Sequence, residues 1–415
     1  MNKRANRCLA GVMVMAAAPT LLYAGDDAPE FHLVGDGLAY GVSGDGSLVV
    51  GGDLSGFTWS REDGLILVGG SSLIAASSDG RYAVGDYVDG SGETAARLDP
   101  FGNWLTFGGL GPSGCDASLS SAYDISDDGT RCVGLGWDGC SASAFLWTES
   151  DGMLELPMLG SSASRADTIS GDGLFIGGWD QASNGTRRAA TWTFNGRQWV
   201  EQLLLAGTPG NSSGYGEVSG CNGDGSIVVG IAEGTGSGAS GAFVQRDGGS
   251  VDVLGFIPFS QSPVVAGLLD TSEDGSTLVG FQREGIGGFA VFTATIWTEK
   301  TGLVDLKQYL EGLGASIPSG FQLAAAMGIS DDGSVICGWG YSGFIFNQEA
   351  WVVTLPAQDV PCPADFDGDG LVDGADLGQL LAKWGACTCI EDLNFDGLVN
   401  GEDLGILLAA WGACP

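Results

Sequence analysis

GVSGDGSLVVG, residues 41–51, returns six more times along the chain with small changes. The other copies are AASSDGRYAVG at 75–85, DISDDGTRCVG at 124–134, TISGDGLFIGG at 168–178, SGCNGDGSIVVG at 219–230, DTSEDGSTLVG at 270–280 and GISDDGSVICG at 328–338. The Asp-Gly pairs begin at Asp45, Asp79, Asp128, Asp172, Asp224, Asp274 and Asp332, in steps of 34, 49, 44, 52, 50 and 58 residues. Asp-Gly between β-branched runs predicts a tight hairpin, because Gly supplies the positive φ that the turn requires. The seven aspartates therefore read as turn formers. A period of about 40–50 residues, with four strand-sized segments in each, predicts the blades of a propeller.

A second hairpin follows each motif. Its first strand ends on Trp in five units, at Trp59, Trp147, Trp192, Trp297 and Trp351. Its turn falls at Asp63-Gly64, Asp151-Gly152, Asn195-Gly196, Asp247-Gly248 or Thr301-Gly302, and a leucine-rich strand such as LILVGG closes the unit. The seventh unit stops after Trp351-Val352-Val353-Thr354-Leu355, one strand short. FHLVGDG, residues 31–37, has the missing pattern. The N-terminal segment is thus expected to complete the last blade and remove the open sheet edges. The expected fold is mainly β, a seven-bladed β-propeller over residues 25–355. The first unit is short, and the count stands at six to eight. These units resemble the HAF-type repeats of secreted bacterial proteins, which implies a location more than an activity. The turn is also similar to the sialidase Asp-box, but Asp and Gly are adjacent here and no Trp follows, so that activity is not carried over.

After a Pro-flanked linker at 356–361 the chain repeats itself again. CPADFDGDGLVDGADLGQLLAKWGAC (362–387) is followed by CIEDLNFDGLVNGEDLGILLAAWGAC (389–414). Side-chain oxygens fall at Asp365, Asp367, Asp369, Asp373 and Asp376, and at Asp392, Asn394, Asp396, Asn400 and Asp403. These are positions 1, 3, 5, 9 and 12 of a loop, with Gly370 and Gly397 at the sharp turn of position 6. Calcium takes six to eight oxygens, and this spacing wraps them round one point. The carbonyls of Leu371 and Leu398 at position 7 complete the expected set, for two ions in all. Val372 and Val399 follow, apolar, as for two loops pairing back to back. Position 12 is Asp rather than the Glu of a full EF-hand, and no entering helix precedes either loop.

A duplicated calcium loop with a single following helix resembles the type I dockerin module. The flanking Cys and WGxC endings are most similar to the GC-type dockerin of secreted planctomycete proteins. The resemblance covers 362–415 and implies docking onto a cohesin-like or other envelope or scaffold protein. It places partner choice at loop positions 10 and 11, here Gly374, Ala375, Gly401 and Glu402, and in the following helix. These are not the hydroxyl pairs of the best-known cellulosomal dockerins. Some of Leu380, Leu381, Leu407 and Leu408 must pack the module's own core, and the rest are left for a partner.

The chain carries 73 Gly in 415 residues and a formal charge of −35. So strong a polyanion repels phosphates, which argues against nucleic acid. Residues 1–24 read as a secretory signal, with Lys3, Arg4 and Arg7 ahead of an apolar run and a small-residue end at Ala24. No later stretch is long and apolar enough to span a bilayer. Export permits disulfides among the nine Cys that follow Cys8. Cys362–Cys387 and Cys389–Cys414 are the symmetric pairing, with Cys362–Cys414 an alternative clasp. Cys115 and Cys140 flank one repeat and are a third candidate pair. Cys132, Cys221 and Cys337 remain.

No catalytic constellation stands out. The single His, His32, lies in the expected closing strand, and neither HExxH nor a phosphate loop is present. Two carboxylates suffice for glycoside chemistry, but 51 acidic residues single out no pair. Aromatics after the repeated Gly, namely Tyr87, Trp137, Trp179, Phe281 and Trp339, are candidates either for blade packing or for a face that stacks on sugars. The expected protein is secreted and attached at the cell surface, with the propeller as a non-catalytic recognition platform. A glycosidase or lyase delivered by its dockerin is the alternative.

Overall fold

The computed structural model describes residues 28–356, except 54, 90–91, 112–118, 139–140, 161, 184, 186, 205–215, 234–239, 286 and 288–289. It also describes 364–366, 371–386, 391, 393 and 398–413. The expected signal, most of the linker, and Cys115, Cys140, Cys362, Cys387, Cys389 and Cys414 lie outside the described residues.

Each Asp-Gly motif joins a first strand to a second. The first strands are Leu38–Val42, Ser72–Ala76, Ser120–Ile125, Ser164–Ile169, Gly216–Cys221, Val264–Thr271 and Phe321–Ile329. In the first unit Val49–Gly52, Gly56–Ser60 and Gly64–Gly69 follow, each antiparallel to the one before. Among the described residues the pairings sort into seven such groups of four. The first strands touch one another in a cycle, the last of them lying against Leu38–Val42. Sheets arranged radially round such a ring are a β-propeller. The strand that completes the seventh group is Glu30–Asp36, antiparallel to Gln348–Thr354 with Phe31 opposite Val353. FHLVGDG fills the place expected of it.

The turns explain their own sequence. In the last unit Asp332 Oδ1 accepts from Ser330 Oγ at 2.7 Å and from Ser334 N at 2.8 Å. Ser330 Oγ in turn accepts from Val335 N at 2.9 Å, and Gly333 sits at φ 74°. The same bonds recur round Asp45, Asp79, Asp128, Asp172 and Asp274, and Asn222 replaces the Ser beside Asp224. The turn aspartates are structural, satisfying local N–H and O–H groups that the hairpin would otherwise leave unpaired.

The Gly that ends each motif has a different reason. A Cβ at Gly51, Gly85, Gly134, Gly178, Gly230, Gly280 or Gly338 would lie 2.0–2.1 Å from a carbonyl oxygen of the neighbouring first strand. Only a residue without a side chain allows that approach. Next to this contact every first strand carries a β-bulge, as between Ala122 and Asp124 or Val218 and Gly220. Bulges of this kind re-aim a side chain.

Apolar clusters fill the gaps between neighbouring sheets, with Trp192 and Trp351 fully buried. One helix, α1 (Leu306–Gly312), is an addition to the all-strand reading. It inserts Leu306 and Leu310, four residues apart, beside Trp351, and Asp305 caps it.

In the C-terminal module α2 (Gly374–Ala382) and α3 (Gly401–Ala409) follow the short strands Leu371–Val372 and Leu398–Val399. These strands do not pair with each other, contrary to the back-to-back expectation. Leu371–Val372 pairs with Gly412–Ala413, and Leu398–Val399 pairs with Gly385–Ala386. Each copy thus ties its loop to the tail of the other's helix. Val372 and Val399 are buried with Ala364, Leu380 and Leu407 in one small core that both copies share.

Candidate functional site

The bulge sets the chemistry of the central channel. The residue it displaces in each first strand is Tyr40, Ile74, Tyr123, Asp167, Ser219, Leu269 or Met327, and all seven line a cavity of about 240 Å3. The one charged member is Asp167. Arg165 Nε lies 2.5 Å from Asp167 Oδ1, and Arg165 also reaches Glu217 at 3.4 Å. Its guanidinium stands 5.0 Å over the Tyr123 ring. Burial pushes the Asp167 carboxyl up, opposed by the Arg165 guanidinium and reinforced by Glu217. Asp167 Oδ2 and Ser219 Oγ are buried with no hydrogen-bond partner among the described residues, a state that is costly for a polar atom unless a ligand or water supplies one.

The lower end of the channel is lined by the residue before each Asp-Gly pair: Gly44, Ser78, Asp127, Gly171, Gly223, Glu273 and Asp331. Burial, then the charges of Asp331 and Glu273, raise Asp127 to about 6. Glu273 accepts from Gly223 N in the neighbouring turn at 2.6 Å, and Asp331 accepts from Ser78 Oγ at 3.1 Å, reaching past the first unit to the turn of the second. Above them Asp124 accepts from Ile169 N and Asp270 from Ile329 N, each reaching into the next unit. Among the described residues no three His, Cys, Asp or Glu side chains converge to hold a metal.

A second cavity, about 360 Å3, opens on the upper face beside the fourth to sixth units, lined in part by Arg187, Glu217, Ser240, Phe281, Arg283 and Phe292. Glu217 faces both cavities. The candidate aromatics do not share one environment. Trp179 and Trp339 are buried, the first with the Arg187 guanidinium 4.3 Å above its ring. Tyr87 packs on Trp104 at 5.2 Å, Trp137 is half-buried, and Phe281 lines the second cavity. Trp179, Phe281 and Trp339 directly follow the close-approach Gly, whereas Tyr87 and Trp137 stand two and three residues after it. His32 lies beside Glu30 and Trp59 in the closing strand.

In the module, Asp373 caps α2 by accepting from Ala375 N, and Asn400 caps α3 by accepting from Glu402 N. Asp376 is fully buried and accepts from Phe366 N at 2.7 Å and Asp373 N at 2.9 Å. Asp403 does the same with Leu393 N and Asn400 N, both at 2.8 Å. Loop positions 9 and 12 of the two copies are therefore held in equivalent settings, and Asp365 at position 1 of the first copy is half-buried. Asp367, Asp369, Asp392, Asn394 and Asp396 lie outside the described residues. Gly374, Ala375, Gly401 and Glu402 are exposed in the first turns of the helices. Leu381, Trp384, Leu408 and Trp411 are each about half exposed, whereas Leu380 and Leu407 are buried. Among the described residues no helix is long and apolar enough to cross a membrane.

No family model matches the chain, and no curated protein matches it significantly. Among solved structures it is similar to an oligogalacturonate lyase from Vibrio parahaemolyticus, with 10% identity, a TM-score of 0.50, and 78% of this chain and 91% of that one covered. It is also similar to the β-propeller domain of the Trilobed protease from Pyrococcus furiosus, with 8% identity, a TM-score of 0.46, and 76% and 97% covered. For TolB from Acinetobacter baumannii the values are 15%, 0.38, 52% and 56%, so the match spans little more than half of that chain. Likeness at these identities concerns the β-propeller fold alone.

Proposed function

We propose that this is a recognition protein in two parts: a seven-bladed propeller that presents its upper face, and a dockerin-like module that binds two calcium ions and docks on an envelope or scaffold protein outside the cell. Seven blades are supported by the seven strand groups and the cycle of first-strand contacts. The observation that carries the docking reading is the duplicated exposure of Leu381 with Leu408 and Trp384 with Trp411 on so small a body. An apolar face that a module leaves outside, twice in equivalent places, marks a partner site. The calcium reading is supported by an all-oxygen donor set that suits a hard cation. An ionised carboxylate offers about four lone-pair sites, so the capping bonds of Asp376 and Asp403 are compatible with a bound ion.

The test is a calcium titration of the full chain, followed by tryptophan emission and thermal melting, with chelator as the reverse arm. Calcium raises the module's melting transition in the native chain, and Asp376→Ala with Asp403→Ala removes the response. A full calcium response in the double variant would show the ligand assignment to be wrong. A second reading, a carbohydrate-active enzyme, draws on Asp167, a carboxyl raised by burial within reach of Glu217's charge. Release of reducing ends from a polysaccharide panel, lost in Asp167→Asn, would favour it.

A further inference from the structure

The geometry points to the cavity on the upper face as a site for a uronic acid unit, a pyranose ring bearing one carboxylate; this rests on the recognition reading above and names its ligand class. Arg283 is the first reason. The chain has only 16 Lys and Arg against 51 Asp and Glu. Arg187 approaches Glu217 at 3.6 Å, yet Arg283 has neither a carboxylate partner nor a hydrogen-bond acceptor among the described residues. Its Nε is buried as well as unpartnered. A buried N–H without an acceptor is costly, and the planar guanidinium fork suits a carboxylate bidentately.

The walls supply the second reason. Phe281 and Phe292 line the same space as Arg283, with Ser240 on its edge. Aromatic rings offer flat apolar area to a sugar face, and a small number of polar groups fix its orientation. About 360 Å3 holds a ligand of one or two sugar rings. Net charge is the third reason. At −35 the whole protein repels polyanions, whereas a single carboxylate within a few ångströms of Arg283 and Arg187 is governed by local charge, since the field of distant groups is screened beyond about 8 Å at physiological salt. The site therefore fits one uronate on an otherwise neutral saccharide rather than a polyuronate.

The experiment is calorimetric titration of the full chain with methyl β-glucuronide, methyl β-glucoside and N-acetylglutamate. The glucuronide is expected to bind at least tenfold more tightly than either. Arg283→Gln is expected to lower glucuronide affinity at least tenfold, and Arg283→Lys to recover part of it. If Arg283→Gln fails to melt like the native chain, Arg187→Gln is the second variant, with a smaller loss expected because Glu217 already engages it. Equal binding of glucuronide and glucoside, no binding at millimolar concentration, or an unchanged affinity in both Gln variants would overturn the proposal. Equal binding of N-acetylglutamate would overturn the sugar assignment. Ligand recovered intact supports recognition; ligand cleaved after binding would sink the non-catalytic reading while supporting this site.

Discussion

Gly230→Ala tests the close approach on which every unit depends. The new Cβ would lie 2.1 Å from Glu217 O and 2.7 Å from the Phe243 ring. Real Cβ contacts essentially never fall below 3.0 Å, so the second strand must retreat from the first by about 1 Å. That retreat weakens one or two ladder bonds, at about 1 kcal/mol each. Overpacking against Phe243, which is itself fully buried, adds about 1–3 kcal/mol. The total is about 2–5 kcal/mol. For a body of some 330 residues the unfolding entropy is about 0.7 kcal/mol per degree, so the melting temperature drops by about 3–7 °C. The assay is calorimetry of the full chain at neutral pH. The control is Gly312→Ala at the end of α1, where a Cβ meets nothing within 4 Å and an unchanged or slightly raised Tm is expected. A Gly230→Ala protein melting within 1 °C of native would show that the strand spacing is slack and that the repeated Gly needs another explanation.

Two further outcomes follow from the same structure. Burial raises Asp124 to about 6 and Asp270 to about 7. A raised folded pKa contributes stability that is present below the unfolded value of about 4 and lost as pH rises through the folded value. The turn residues Asp45, Asp128 and Asp332 act oppositely: burial raises them, their hydrogen bonds outweigh it, and the lowered result gives stability that disappears as pH falls below about 4. The urea midpoint is therefore higher at pH 5 than at pH 8 and falls again below pH 4, and Asp124→Asn with Asp270→Asn makes the step between 5 and 8 smaller, leaving the part due to raised carboxyls such as Asp127 and Asp167; a midpoint that rises steadily to pH 8 would contradict this. Deleting residues 28–37 leaves Gln348–Thr354 as an open edge, so concentration-dependent oligomers appear by light scattering; a monodisperse monomer of native Tm would show that the ring closes without its N-terminal strand.

Much of this fold is legible before any coordinates. Asp-Gly pairs with β-branched flanks fix seven turns, and the strand missing after Thr354 points to its replacement at Phe31. The channel is not legible in the same way. Its seven displaced residues stand five places before the Asp of each motif, in Tyr40, Ile74, Tyr123 and their equivalents, and only the bulge turns them inward. Alternation along a strand counts one residue per step and so assigns them to the wrong side. The signal was available in the fixed interval back from each Asp-Gly pair. The aromatic face failed to form as one set for a related reason: residues two and three places after the Gly do not occupy the position one place after it. In the module the duplicated spacing of acidic and amide residues is plain from sequence, but the crossed pairing of Leu371–Val372 with Gly412–Ala413 needs the three-dimensional core to decide it. Arg283 carries no sequence signal, because being unpaired is a property of its neighbours.

The bulge also separates the frame from its lining. In each unit the Ser (Asn222 in the fifth), the Asp and both Gly are committed to the turn and to strand spacing, and changing them threatens the sheet. The displaced residue makes no comparable contribution to the scaffold. Tyr, Ile, Asp, Ser, Leu and Met all occupy it in this one chain. The propeller thus gathers seven positions of varied side chain round one opening. The side chains that line the channel can therefore differ from unit to unit while the frame that holds them stays unchanged.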